Sequence, residues 1–141
     1  MRKFMMILLA CLLPLTMIAC EKKSTSEEVK EAANAIKNDI QNAFTDTKNK
    51  MSKQFDSLKA KVNELESNIK QKSADASDEV KKKWEESLAT LKKKQAQIKA
   101  RLNQAKADSK ENLKSWENSL KESMASLEKK YNETLDSLKS S

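Results

Sequence analysis

From residue 29 onward, apolar or small side chains return every three or four positions. Val29, Ala33, Ile36, Ile40, Phe44, Thr47, Met51, Phe55, Leu58, Val62, Leu65 and Ile69 form one series. An α-helix turns once in about 3.6 residues, so such steps keep returning to one face and the series predicts an amphipathic helix. A second series runs Val80, Trp84, Leu88, Leu91, Gln95, Ile98, Leu102, Ala105, Ser109, Leu113, Trp116, Leu120, Met124, Leu127, Tyr131, Leu135 and Leu138. Between Trp84 and Leu102 the steps alternate four and three, as in heptads. From Leu113 the sequence of steps changes, and mixed periods predict a coiled coil whose supercoil straightens or changes hand locally. Thr47, Gln95 and Ser109 interrupt the apolar seam, so this is no uniform leucine zipper.

The two series are separated by Ser73-Ala74-Asp75-Ala76-Ser77-Asp78, a stretch with no large apolar residue and several side chains suited to capping a helix N-terminus. A break is expected at 73–78. Asp108 with Glu111 supplies a second cap pair inside the later series, and Ser24 with Glu27 fits a capping box that would open the first helix. The expected fold class is all-α: long amphipathic helices over residues 28–138, arranged as a coiled-coil hairpin or an elongated three-helix bundle. A single unbroken rod is the remaining arrangement.

Composition narrows the picture. The 141 residues include no Gly, no His and one Pro, with 35% charged and 4% aromatic side chains. Little material is present for a mixed globular core, and the turns that Gly and Pro supply are missing. Trp84-Glu85-Glu86-Ser87-Leu88 returns as Trp116-Glu117-Asn118-Ser119-Leu120. Both tryptophans fall on the apolar series, which makes them core anchors.

The N-terminus has a different character. Arg2 and Lys3 precede an apolar run from Phe4 to Ala19, broken only by Pro14 and Thr16. A positive start, a short apolar centre and a small residue before the cut describe a secretory signal segment, here residues 1–19. The run is shorter than the roughly 20 residues a membrane-spanning helix needs. Charge begins directly after Cys20, and residues 20–27 read as a flexible polar spacer.

Met17-Ile18-Ala19-Cys20 resembles the lipobox of bacterial lipoproteins. The resemblance implies that Met17, Ile18 and Ala19 direct processing and that Cys20 becomes the first mature residue, carrying diacylglycerol on its sulfur and an N-acyl chain. Leu8-Leu9-Ala10-Cys11 has the same form, but too short an apolar stretch precedes it. Two or more acyl chains, at about 0.8 kcal/mol per buried methylene, anchor a protein durably. The implied partner is therefore a membrane, reached through the lipid. Glu21 stands where an Asp would hold such proteins at the inner membrane. This favours the outer membrane facing the periplasm, the outer leaflet of the inner membrane being the alternative. Removing residues 1–19, with their two basic side chains, lowers the net charge from +7 to +5.

The mature segment is expected to be non-enzymatic. Without His, and with Cys20 as the sole mature thiol, nitrogen- or sulfur-ligated metal sites and His-based triads have no components, and no Gly is present for a phosphate-cradling loop. No cofactor and no small-molecule substrate are expected. Lys81, Lys82 and Lys83 lie eleven residues before Lys92, Lys93 and Lys94, about three helical turns, so the clusters share a face. Acidic neighbours and export argue against nucleic acid; contact with anionic lipid or wall polymers is the use left for these lysines. Residues 78–138 look like small coiled-coil stress-response proteins of bacteria and, more loosely, apolipoprotein-type helices. Braun-type outer-membrane lipoprotein is similar in plan, but its wall-linking C-terminal lysine is unmatched, since this chain ends Lys139-Ser140-Ser141. Two roles follow: a tethered interaction or scaffold protein that binds itself or another envelope protein, or an amphipathic stress protectant that opens onto anionic surfaces.

Overall fold

A computed structural model describes residues 18–141 apart from 107, with side chains from residue 26 onward. Residues 1–17 of the expected signal segment lie outside the described residues. The chain is all-α, with α1 at Ile18–Lys72, α2 at Asp78–Asn103 and α3 at Lys110–Ser140. It divides into two units, Met1–Asp39 and Ile40–Ser141.

The second unit is a three-helix bundle formed by the C-terminal stretch of α1 with α2 and α3. Cross-helix contacts fix the directions. Arg101 bonds Ser119 and Lys94 bonds Ser126, so α2 and α3 run antiparallel, each step along one matched by a step back along the other. Phe44 meets Trp116 at one end and Lys72 reaches the carbonyl of Leu138 at the other, so α1 and α3 run parallel.

One continuous core fills the space between the helices. Met51, Phe55, Leu58, Val62, Leu65 and Ile69 come from α1; Trp84, Leu91, Ile98 and Leu102 from α2; Leu120, Met124, Leu127 and Leu138 from α3. In α2 the fully covered positions fall every seven residues, at Trp84, Leu91 and Ile98, while Leu88 and Gln95 between them are only half-buried. Each fully covered leucine contributes about 1.5–3 kcal/mol relative to its exposed state.

Both turns are made without glycine, and no described residue has a positive φ. At the first, the backbone N–H and the hydroxyl of Ser73 both donate to the Ile69 carbonyl, at 2.8 and 2.6 Å. A side chain that competes for backbone partners in this way favours a helix end. Ser77 then adopts extended backbone and its hydroxyl accepts from the Val80 N–H, with Asp78 and Glu79 placing negative charge on the first turn of α2.

The second turn corrects an expected detail. Ser109, not Asp108, caps α3: it is extended at φ −150 and ψ 162, and its hydroxyl accepts from the Asn112 N–H at 3.1 Å. Glu111 lies in the first turn, where its charge suits the helix dipole. Residues 20–27 need correction as well, because α1 passes through them rather than beginning at the Ser24–Glu27 pair. That stretch contains neither Gly nor Pro and is rich in Glu and Lys, which favour helix. A capping sequence has no orphan N–H groups to satisfy inside a helix that has already started.

Candidate interaction surfaces

The described part of the first unit differs from the bundle in one respect: every residue from 26 to 39 is exposed. The repeat of apolar positions is nevertheless intact there. Val29 and Ile36 are the large apolar side chains left exposed among the described residues, at 66% and 55%. Ala33 stands between them on the same face, and the next position in the series, Ile40, is covered.

Charges flank this stripe asymmetrically. At about 100° per residue, Lys30 and Lys37 fall along one border, whereas Glu28 and Asp39 fall along the other. None of the four has an ion-pair partner among the described residues. Residues 26–39 hold four acidic side chains, Glu27, Glu28, Glu31 and Asp39, against Lys30 and Lys37, a net charge of −2.

Successive lysines in the two triplets of α2 diverge around the helix. Lys92 turns toward α1 and binds the Glu66 carboxylate at 2.9 Å; Lys94 turns toward α3 and donates to the Ser126 hydroxyl at 2.7 Å. Lys83 pairs with Glu79 one turn earlier, and Lys81 is half-buried. Lys82 and Lys93 are exposed. At eleven-residue spacing each lysine shares an azimuth with its counterpart, so the bundle exposes Lys82 and Lys93 along one line between α2's two packed flanks.

Among the described residues, Glu66 is the carboxylate whose ionisation is clearly perturbed. The Lys92 and then the Lys70 ammonium donate to it, which holds its pKa below the ordinary carboxylate value. The pairs join α1 to α2 at Lys92, and support a single turn of α1 at Lys70.

Where α2 ends and α3 begins, aromatic and cationic groups interlock. Trp116 packs on Phe44 with ring centroids 5.3 Å apart, and its indole N–H donates to the Arg101 carbonyl at 3.2 Å. The Arg101 guanidinium in turn donates to the hydroxyls of Ser119 and Ser123, both at 2.7 Å. Lys48 lies over the Phe44 ring at 5.9 Å. These contacts close one end of the bundle. Trp84, near the other end, is 2% exposed and its indole N–H finds no acceptor among the described residues. The Gln95 amide nitrogen is also buried without a partner among the described residues.

Thr134 is covered although sequence periodicity assigns that turn to Tyr131 and Leu135, both only half-buried. Its hydroxyl donates to the Lys130 carbonyl at 2.7 Å, leaving its methyl group to pack inward. Beside it a shallow groove between α2 and α3 is lined by Ser87, Thr90 and Ser137 with charged ends around them.

The expected processing site straddles the limit of description: Met17 lies outside the described residues, and of Ile18, Ala19 and Cys20 only the helical backbone is described. No helix among the described residues is long and apolar enough to cross a membrane. Comparison with protein-family models, curated proteins and solved structures returned no match.

Proposed function

We propose that this protein is a lipid-anchored, non-enzymatic helical interaction protein of a bacterial cell envelope. Cys20 carries the acyl chains, residues 1–19 are removed, and the outer membrane facing the periplasm is the favoured site. The observation that carries this reading is a single juxtaposition. An apolar run ends at Ala19-Cys20, and the helix that follows leaves Val29 and Ile36 uncovered. Anchorage then needs nothing from the protein, because the acyl chains suffice. The exposed stripe is what remains for a partner.

The interaction role is favoured over the stress protectant by the bundle itself. From Met51 onward the large apolar stripe residues of α1 face α2 and α3 in a shared core, so opening onto a membrane would forfeit contacts already made. Growing cells fed labelled palmitate provide the test. Label in the natural chain and none in a Cys20→Ala variant is expected, with a mature mass starting at an acylated Cys20; equal labelling overturns the anchor. Circular dichroism of the mature chain separates the two roles. Cooperative melting without lipid is expected, and helicity that rises only with anionic vesicles would favour the protectant.

A further inference from the structure

We infer that Arg101 and Lys94 of α2, with the hydroxyls of Ser119 and Ser126 on α3, form a binding site for a phosphate-class oxyanion. The site lies within the second unit and goes beyond the interaction role. It stands whether or not Cys20 carries lipid.

The two cations are held in place without being neutralised. Lys70, Lys83, Lys92, Lys121 and Lys130 all pair with carboxylates. Arg101 and Lys94 instead bond neutral oxygens: the Arg101 guanidinium reaches the Ser119 and Ser123 hydroxyls at 2.7 Å, and the Lys94 ammonium reaches the Ser126 hydroxyl at 2.7 Å. Glu122 shares a shallow hollow with Ser119 and pairs with neither cation. Seven residues separate Arg101 from Lys94 on α2, about 10 Å of helical rise, but their head groups lean onto Ser123 and Ser126, about 4.5 Å apart in rise on α3. Both charges therefore converge on one short stretch of the α2–α3 seam.

Donors remain there to hold a ligand. The bonds from Arg101 all leave Nη1, so Nε and Nη2 keep their N–H groups open among the described residues. Ser123 uses its hydroxyl hydrogen on the Ser119 carbonyl at 2.8 Å. The Ser119 and Ser126 hydroxyls accept from the cations and donate to no described residue, which leaves each an O–H. Donors thus line both walls of the seam. A tetrahedral oxyanion accepts from several directions and suits them better than a planar carboxylate. Bridging α2 to α3 accounts for the Nη1 and Nζ contacts alone; were that the whole role, a carboxylate at residue 119 or 126 would bridge more strongly than a serine.

Calorimetric titration of the full chain in mild detergent tests the site, at about 0.15 M salt so that diffuse attraction between charges is screened. Pyrophosphate is expected to bind saturably at one site per chain. Arg101→Gln and Lys94→Gln should each weaken it about ten-fold or more, the loss of a charged hydrogen bond. Lys82→Gln and Lys93→Gln, which remove the same charge from the exposed line elsewhere on α2, should change it less than about two-fold. Arg101→Lys keeps the charge and loses the fork, so its affinity should fall between those of the natural chain and Arg101→Gln; it carries the test if Arg101→Gln loosens α3 in a ligand-free melt. Absence of saturable binding overturns the inference. Equal losses at all four glutamine variants do so too, as does equally tight binding of tricarballylate, a carboxylate of similar charge. Phosphatidylglycerol vesicles distinguish the source of the phosphate: binding that Arg101→Gln and Lys94→Gln abolish, beside binding of pyrophosphate, assigns the site to lipid headgroups, and no vesicle binding assigns it to soluble or polymer-borne phosphate. Vesicle binding without pyrophosphate binding overturns it.

Discussion

Residues 26–39 and residues 51–69 carry the same kind of apolar stripe on one helix, yet the first is open to solvent and the second is covered by α2 and α3. Their charge differs as well: residues 26–39 sum to −2, while residues 51–69 hold three basic and three acidic side chains, a net of zero. The lesson is that periodicity declares which face of a helix is apolar and leaves open who covers it. In 51–69 the chain supplies its own cover; in 26–39 the face is exposed.

Substitutions on the two stripes should separate them sharply. Leu91→Ala, at a position with no exposure, removes packing that cannot be replaced and should cost about 2–5 kcal/mol in chemical unfolding. A smaller loss would mean that the core is loosely packed and the contrast with the N-terminal stripe overstated. Ser109→Ala removes the cap of α3 and should cost about 1 kcal/mol, read in the same experiment. Asp108→Ala should cost much less, which distinguishes the observed cap from its neighbour.

Acidification probes a smaller term. The pKa of Glu66 is held low in the folded chain by Lys92 and Lys70, so its pairing stabilises the bundle above the ordinary carboxylate pKa, and the contribution fades as pH falls through the lowered value. Both lysines are more than half exposed, so the effect is slight. Glu66→Gln should lower the melting temperature a little at neutral pH and flatten its decline in acid. The least effect belongs to the open stripe: Ile36→Ala should change unfolding of the bundle by no more than about 0.5 kcal/mol. A larger loss would show that Ile36 supports the bundle after all.

Much of the fold is legible in the order of residues. The alternating steps from Trp84 to Leu102 announce the covered face of α2, and the small polar run after Lys72 announces a turn. Three details escape such reading. Thr134 is covered because its hydroxyl can turn back onto the Lys130 carbonyl, an option that hydropathy does not register. Ser109 caps α3 while holding a place in the apolar series, so its two readings compete until the backbone angles decide. The meeting of Arg101 with Ser119 and Ser123 depends on how far α3 slides along α2, which neither helix encodes alone. Of the candidate surface, the stripe was legible and its exposure was not, since exposure depends on where α2 and α3 stop.

The placement of the two indoles also makes the molecule its own optical instrument. Trp84 is 2% exposed and its N–H has no acceptor among the described residues, whereas Trp116 is half-covered at the opposite end and bonded to a carbonyl. Emission should be blue for the former and redder for the latter, so a Trp116→Phe chain reports fraying near the first turn and a Trp84→Phe chain reports it near the second. Coincident colour changes on heating would identify one cooperative transition, and staggered ones would reveal which extremity melts first.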